Sequence, residues 1–292
     1  MTLNLVCSRS WMRDEFAAAG VDFRHSYGLD VPRFEKSDIW WMPQGYAVSL
    51  NRALRSRGLQ EVRLTAPSPS FLDDLQRANP ALIGREVNTL TVKEAKLLSE
   101  LEDGWWKFAT AKVEQFAAQK MSHQDCAQWM IENQIPEESI LQYTPTTLDI
   151  VREYRTFVRH GEVVASSIYL DHTMGEDGSG GVTVYDGAIA DPSEQESLAA
   201  FVREALSLVD HPEGFVVDIA FLQSGEQVVL EANPAWCSAW YDCDIVEVVE
   251  TIAASFADPS HVYTPDAFLV ERDARLRVLE MAPVLSSSSI AR

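Results

Sequence analysis

Apolar residues along the chain fall at strand spacing in some stretches and helix spacing in others, and the alternation sets out the architecture. Residues 3–7 (LNLVC) form a short apolar run of strand length, and residues 11–19 then read as a helix stopped by Gly20, a β-then-α opening. Residues 44–57 (QGYAVSLNRALRSR) predict another helix, and residues 71–75 begin a third after the turn-rich Pro67-Ser68-Pro69-Ser70. The first 85 residues are therefore expected to form a small α/β lobe.

Helical spacing returns over residues 90–102 and ends at Gly104, after which residues 105–108 (WWKF) predict a strand. A helix over 122–133, with Ser122 at its N-cap, runs towards Pro136 and a strand over 139–143. From Arg152 onward the pattern is one of hairpins: strands at 153–159 and 163–170 flank a turn at His160-Gly161. Residues 175–181 (GEDGSGG) read as a flexible acidic loop, and 193–209 as a helix with Ser193 and Glu196 at capping-box spacing. Strands over 214–222 and 227–232 then join through Ser224-Gly225, and a helix over 245–256 follows. The stretch LVERDARLRVLEM predicts one more strand pair before a Ser-rich, disordered end.

A chain of 292 residues with 46% hydrophobic content can bury a substantial core. Its 44 acidic residues against 24 basic ones, a formal charge of −20, argue against a nucleic-acid partner. An anionic ligand must therefore find a locally basic pocket. Four cysteines without CxxC spacing predict reduced thiols. With no apolar run of the roughly 18 residues a span needs and no signal-peptide pattern, no membrane partner is expected and the cytoplasm is the predicted location.

The most informative stretch is residues 215–234, FVVDIAFLQSGEQVVLEANP, where three oxygen-bearing side chains interrupt strands expected to be central and covered on both faces. If Ser224 and Gly225 are the central residues of a two-residue turn, Asp218 lies directly across from Glu231. Strand alternation then puts Asn233 on the face of Glu231. Opposed carboxylates destabilise a hairpin, and a hard divalent cation such as Mg²⁺, bound together with substrate phosphates, relieves them. The plain alternative is a solvent-facing acidic pair bridged to neighbours; the apolar surroundings oppose it, because an unpaired buried carboxylate is costly.

Glu153-Tyr154-Arg155 supplies a second candidate. The planar fork of Arg155 suits a phosphoryl group or a carboxylate, the alternative being a surface arginine paired with Glu153. Lys107, and less directly Lys112, stand where an ammonium can reach nucleotide phosphates, against the alternative of a snorkelling edge lysine. The tryptophans at 40, 41, 105, 106, 236 and 240 read as core. The six histidines show no ligand spacing, and GxSxG, GxGxxG and Walker-type patterns are missing from the sequence.

In this order the pieces resemble the ATP-grasp superfamily, and within it the small proteins related to the ribosomal-protein glutamate ligases. The matching stretches are LIGREV (82–87), WWKFATAKVEQF, ILQYTP, REYRTFVRHGEVVASSIY and VVDIAFLQSGEQVVLEANP. Phe108 departs from the proline that usually follows the family's lysine. The resemblance implies an α+β ATP-grasp fold: two α+β lobes, residues 86–143 and 144–262, gripping a nucleotide, preceded by the α/β lobe of 1–85 and followed by a tail of 263–292. It implies ATP and Mg²⁺ as cofactors, with Lys107 and Lys112 at the phosphates, the Gln142-Tyr143 backbone as the hinge beside adenine, and Glu153 nearby. Arg155 would stabilise the transferring phosphoryl group, and Asp218, Glu231 and Asn233 would hold the metal.

The implied activity is carboxylate–amine ligation through an acylphosphate, with an amino acid, peptide or protein as acceptor and a loop over 171–181 closing the site. The acidic surface favours a neutral or cationic amine. A nucleotide-binding regulator without catalysis and a phosphotransferase on the same fold are the competing readings.

Overall fold

The computed structural model describes residues 2–27, 34–35, 37–98, 103–112, 116–172, 183–184 and 192–275. Three sheets organise them. In the first, β1 (Leu3–Val6) lies between β2 (Phe23–Ser26) and β3 (Ile39–Trp41), all parallel. All four residues of β1 are buried, as a parallel strand covered on both faces requires. The helices α1 (Ser10–Ala18) and α2 (Gln44–Ser56) belong to this lobe, and α3 (Phe71–Ala78) leads out of it.

The second sheet is antiparallel, in the order β4 (Asn88–Thr91), β7 (Ile140–Thr144), β5 (Gly104–Phe108), β6 (Gln119–Met121). Its helices are α4 (Val92–Leu97) and α5 (His123–Glu132). The helix expected over 90–102 is shorter than its apolar spacing suggested. Thr91 and Glu94 form a reciprocal capping box, so the helix starts at Val92 and Leu90 is left in β4; residues 99–102 lie outside the described residues.

The third sheet runs β10 (Thr183–Val184), β9 (Glu162–Asp171), β8 (Ile150–Arg159), β11 (Gly214–Leu222), β12 (Gln227–Pro234). One face, through Tyr154, Val158, Val217 and Ile219, packs on α6 (Pro192–Leu206) and α3. The other, through Phe157, Ala165 and Val216, packs on α7 (Ile245–Ala257), Trp236 and Trp240, in one core with the first lobe. The helix α6 starts with Pro192, which puts Ser193 inside its first turn rather than at a cap. The acidic loop expected at 175–181 lies outside the described residues.

Two further expectations are corrected. The tail stretch is not a strand pair: α8 (Ala267–Arg275) is a helix, and the rest of the stretch lies outside the described residues. Asp266 accepts from the Phe268 amide at 2.9 Å at its start, Leu269 is buried in the core of the second lobe, and Asp273 bonds Ser49 and Arg52 of α2. Secondly, β12 is not a central strand. Among the described strands it is an edge, and its outer side is covered by the segment that ends in Arg85.

Candidate functional site

The hairpin of β11 and β12 places the acidic residues, and it does so through two irregularities that cancel. Its loop holds three residues, not two: the Leu222 amide donates to the Glu226 carbonyl at 2.9 Å and the Gly225 amide returns to the Leu222 carbonyl at 2.9 Å. Gly225 takes φ +88° there, a conformation that favours glycine. This loop sets a register one residue away from a two-residue turn, giving Ile219 opposite Val229. A β-bulge at Leu230 then restores the shift, so that Asp218 lies opposite Glu231 and Val216 opposite Asn233.

Arg85 holds that bulge. Its Nη1 donates to the carbonyls of Ile83 and Val229 at 3.0 and 2.9 Å, and its Nη2 to the carbonyl of Leu230 at 2.9 Å. Burial pulls the guanidinium down to about 10, with Glu231 pulling the other way. Edge-strand carbonyls that would otherwise face a partner strand are thus satisfied by a side chain.

On the face shared by Asp218, Glu231 and Asn233, the Asn233 amide nitrogen donates to Glu231 Oε1 at 2.7 Å and to Asp218 Oδ2 at 3.4 Å. Both carboxylates and the amide therefore converge on one small volume. Asp218 is fully buried and receives a two-point contact from Arg155, Nε to Oδ1 at 2.9 Å and Nη2 to Oδ2 at 2.7 Å. Burial raises its carboxyl, Arg155 opposes the rise, and Glu231 adds to it, leaving the group at about 6. For Glu231 burial also pushes upward, but Lys107 and Lys112 win and hold it well below the usual carboxylate range.

The other predicted residues take distinct places. Lys107 reaches across from β5 to Glu231 Oε2 at 2.6 Å. Lys112 lines the same cleft, and its backbone amide donates to Gln44 Oε1 at 2.8 Å while Gln44 Nε2 donates to the Thr110 carbonyl at 2.9 Å. Gln142 pairs with Lys107 and therefore shares its face, whereas Tyr143 pairs with Trp106 and packs its ring in the core. Their peptide groups serve ladders on both edges of β7. Glu153 does not pair with Arg155; it accepts from Tyr169 Oη and lies 2.7 Å from His172 Nε2.

Arg155 is 4% exposed, and three of its nitrogens are engaged, Nη1 donating to the Ala239 carbonyl at 3.2 Å. Its guanidinium carbon lies 5.1 and 5.2 Å from the ring centres of Tyr169 and Tyr241, within cation–π range. Burial works against its charge, yet Asp218 outweighs burial and the net shift is upward.

The donor chemistry fits a hard divalent cation. Two carboxylates and an amide on one face are oxygen donors of the Mg²⁺ type, and a half-turn of the Asn233 amide exchanges its donating nitrogen for its oxygen. Among the described residues no three His, Cys, Asp or Glu side chains gather as a metal cluster, so a third donor at this point would have to be the amide. Glu231 and Asn233 open on a cleft of about 700 Å³ walled by residues 66–69, 107–112, 116–118, 231–234 and 260–264, while Asp218 lies buried behind them. Among the described residues two lysines and one glutamate line it, so this part of the pocket is locally basic in an acidic protein.

Sequence reasoning missed Arg85, Tyr169, Tyr241 and Gln44. Arg85 stood inside LIGREV without a role, and nothing in the local pattern marks an arginine whose partners are carbonyls some 145 positions away. The four cysteines are free, as expected, with Cys7, Cys126 and Cys243 buried. No helix among the described residues is long and apolar enough to cross a membrane.

Comparison with known proteins adds three findings. A family model described as an ATP-grasp domain, family 3 of its clade, matches residues 33–252. No curated protein matches the sequence. Among solved structures, that of D-cycloserine synthetase DcsG is similar over 88% of this chain and 100% of its own, with TM-score 0.52 and 14% identity. D-alanine–D-alanine ligase from Bacillus anthracis is similar over 88% and 97%, with TM-score 0.50 and 12% identity. At such identities the likeness is one of fold.

Proposed function

The chain belongs to the ATP-grasp domain family, and from that premise we propose that it is an ATP-dependent ligase joining a carboxylate to an amine. The observation that carries this reading is the convergence of the buried Asp218 with Glu231 and Asn233, which line the basic cleft beside Lys107. In the proposed reaction a substrate carboxylate oxygen attacks the γ-phosphorus of ATP, ADP leaves, and an acylphosphate forms. An amine nitrogen then attacks the acyl carbon and loses a proton as phosphate departs, giving the amide.

The chain's own part is placement and charge, since phosphoryl transfer asks for little covalent chemistry from the protein. Mg²⁺ held by Asp218, Glu231 and Asn233 would supply charge neutralisation at the phosphates. Lys107 exchanges its ion pair with Glu231 for the nucleotide phosphates, and Lys112 joins it from the loop that Gln44 grips. Arg155 fixes the Asp218 carboxylate and adds its field to the phosphoryl group. Gln142, on the face of Lys107, would meet the nucleotide, with Tyr143 supporting from the core and Glu153 nearby. Substrates are amino acids, peptides or proteins, and the D-alanine–D-alanine ligase that shares the fold points to the amino-acid class.

A screen of amino acids and peptides for ADP formation with Mg²⁺ tests the reading, alongside Asp218→Ala and Glu231→Ala. Both variants are expected to fold and to lose turnover by at least roughly a hundredfold, the scale of losing a key electrostatic group. Near-normal rates in either variant refute the assignment. Mass spectrometry separates the alternatives: a phosphotransferase gives a phosphorylated product without an amide, and a regulator without catalysis gives neither.

A further inference from the structure

The β12 bulge decides which face Glu231 occupies. In an unbroken strand, residues two apart share a face, so Val229 and Glu231 would point the same way. Val229 is buried in the core against α6 and α3, and a β12 without its bulge would send Glu231 there too. The three-residue loop by itself sets that bulge-free register, since Ile219 pairs with Val229 and Phe221 with Gln227. Something must therefore hold Leu230 out of line.

Consecutive carbonyls of a regular strand point to opposite edges. Those of Val229 and Leu230 both meet the one guanidinium of Arg85, which is possible only where the bulge has turned both outward. Gly84 delivers the arginine: it takes φ +63°, and a Cβ there would stand 2.6 Å from Val228 Cγ1, so the backbone approaches β12 as a bulkier residue could not. The bonds Arg85 makes are to backbone carbonyls at 2.9–3.0 Å, so its cation serves the strand's shape.

We propose that Arg85 is a positioning residue for the metal site, its guanidinium locking the β12 bulge and so keeping Glu231 in register with Asp218. This rests on the reading of Asp218, Glu231 and Asn233 as the Mg²⁺ ligands. Arg85 is not among the residues that line the cleft, and its bonds run to backbone carbonyls; its effect reaches the metal through the strand.

The test measures ADP binding to the full chain by calorimetry over a range of Mg²⁺ concentrations, with thermal denaturation recorded for each protein. Wild type is expected to bind ADP more tightly as Mg²⁺ rises. Arg85→Ala should keep the metal-free ADP affinity but need about 10–100 times more Mg²⁺ for the same gain, the range seen when a group supporting a metal ligand is lost. Arg85→Lys should move the same way, because a point-charge ammonium cannot span three carbonyls, and it carries the test should the alanine variant fail to fold. A folded variant with the wild-type Mg²⁺ requirement overturns the proposal, as does an equal loss of affinity with and without Mg²⁺. Failure of the underlying reading is seen separately, in wild type alone, as ADP affinity indifferent to Mg²⁺, and it removes the inference with it.

Discussion

Two ion pairs meet at the site, and they are built differently. Arg155 and Asp218 face each other on neighbouring strands of one sheet, with side-chain exposures of 5% and 0%. Lys107 and Glu231 come from different sheets, with exposures of 23% and 29%. The first pair is closed in by Tyr169, Tyr241 and the Ala239 carbonyl; the second opens on the cleft. A buried pair with two-point geometry is fixed by its surroundings, while a half-exposed pair with one contact can exchange partners at modest cost. Under the proposed function the difference divides the labour: Asp218 keeps its cation, and the cation on Glu231 leaves for a phosphate.

Breaking the closed pair should give the largest effect. Arg155→Met strands Asp218 in the core, and chemical denaturation is expected to show a loss of about 3–5 kcal/mol. A loss under about 1 kcal/mol, the value of an exposed pair, would make the two pairs equivalent. Lys107→Met should do the reverse, costing at most about 1 kcal/mol of stability. It should nonetheless weaken nucleotide binding roughly tenfold or more, as loss of a charged contact does. A stability loss matching that of Arg155→Met would end the distinction.

Acidity sharpens the same contrast. Asp218 titrates at about 6 in the fold against an ordinary 3.8, so ionising it opposes folding: its contribution is full below the ordinary value and lost as pH rises through about 6. Glu231 is held below its ordinary 4.5, so its contribution is present above that value and lost as pH falls. Mg²⁺ needs both carboxylates ionised, and lowering the pH through about 6 should therefore weaken Mg²⁺–ADP binding while metal-free ADP binding changes less. Calorimetry in buffers of different ionisation heat should register proton release on Mg²⁺ binding near that pH; no release would place the Asp218 titration elsewhere. The smallest effect belongs to Gln44→Ala, which frees the loop beside the open pair. It should cost about 1 kcal/mol, the net value of a hydrogen bond, and speed hydrogen exchange at the Lys112 amide.

Much of this was legible in the residues because patterned strands carry their chemistry in order. The three β-strand motifs around Arg155, Asp218 and Glu231 pointed to the ATP-grasp family, to which the chain belongs, and the pairing of Asp218 with Glu231 followed from Ser224-Gly225. That pairing was right through cancellation, since neither the third loop residue nor the Leu230 bulge has a signature in QSGEQVVLE. The edge position of β12 was hidden because its apolar run reads like that of an interior strand, its open side being served by Arg85. The helix α8 was hidden for another reason. One turn after the buried Leu269, the face that meets α2 carries Asp273, and an acid at a buried position erases the apolar rhythm by which helices are recognised.

Residues 263–275 also matter for the order in which the chain can fold. Phe268 stacks on Phe108 with ring centres 5.4 Å apart, and Asp266 receives the Ile140 amide at 3.0 Å, so the second lobe borrows part of its interior from residues translated well over a hundred positions later. During synthesis that lobe stays unfinished on the ribosome until the α8 segment has emerged, and a chain cut just before Asp266 would leave its four-stranded sheet without a floor.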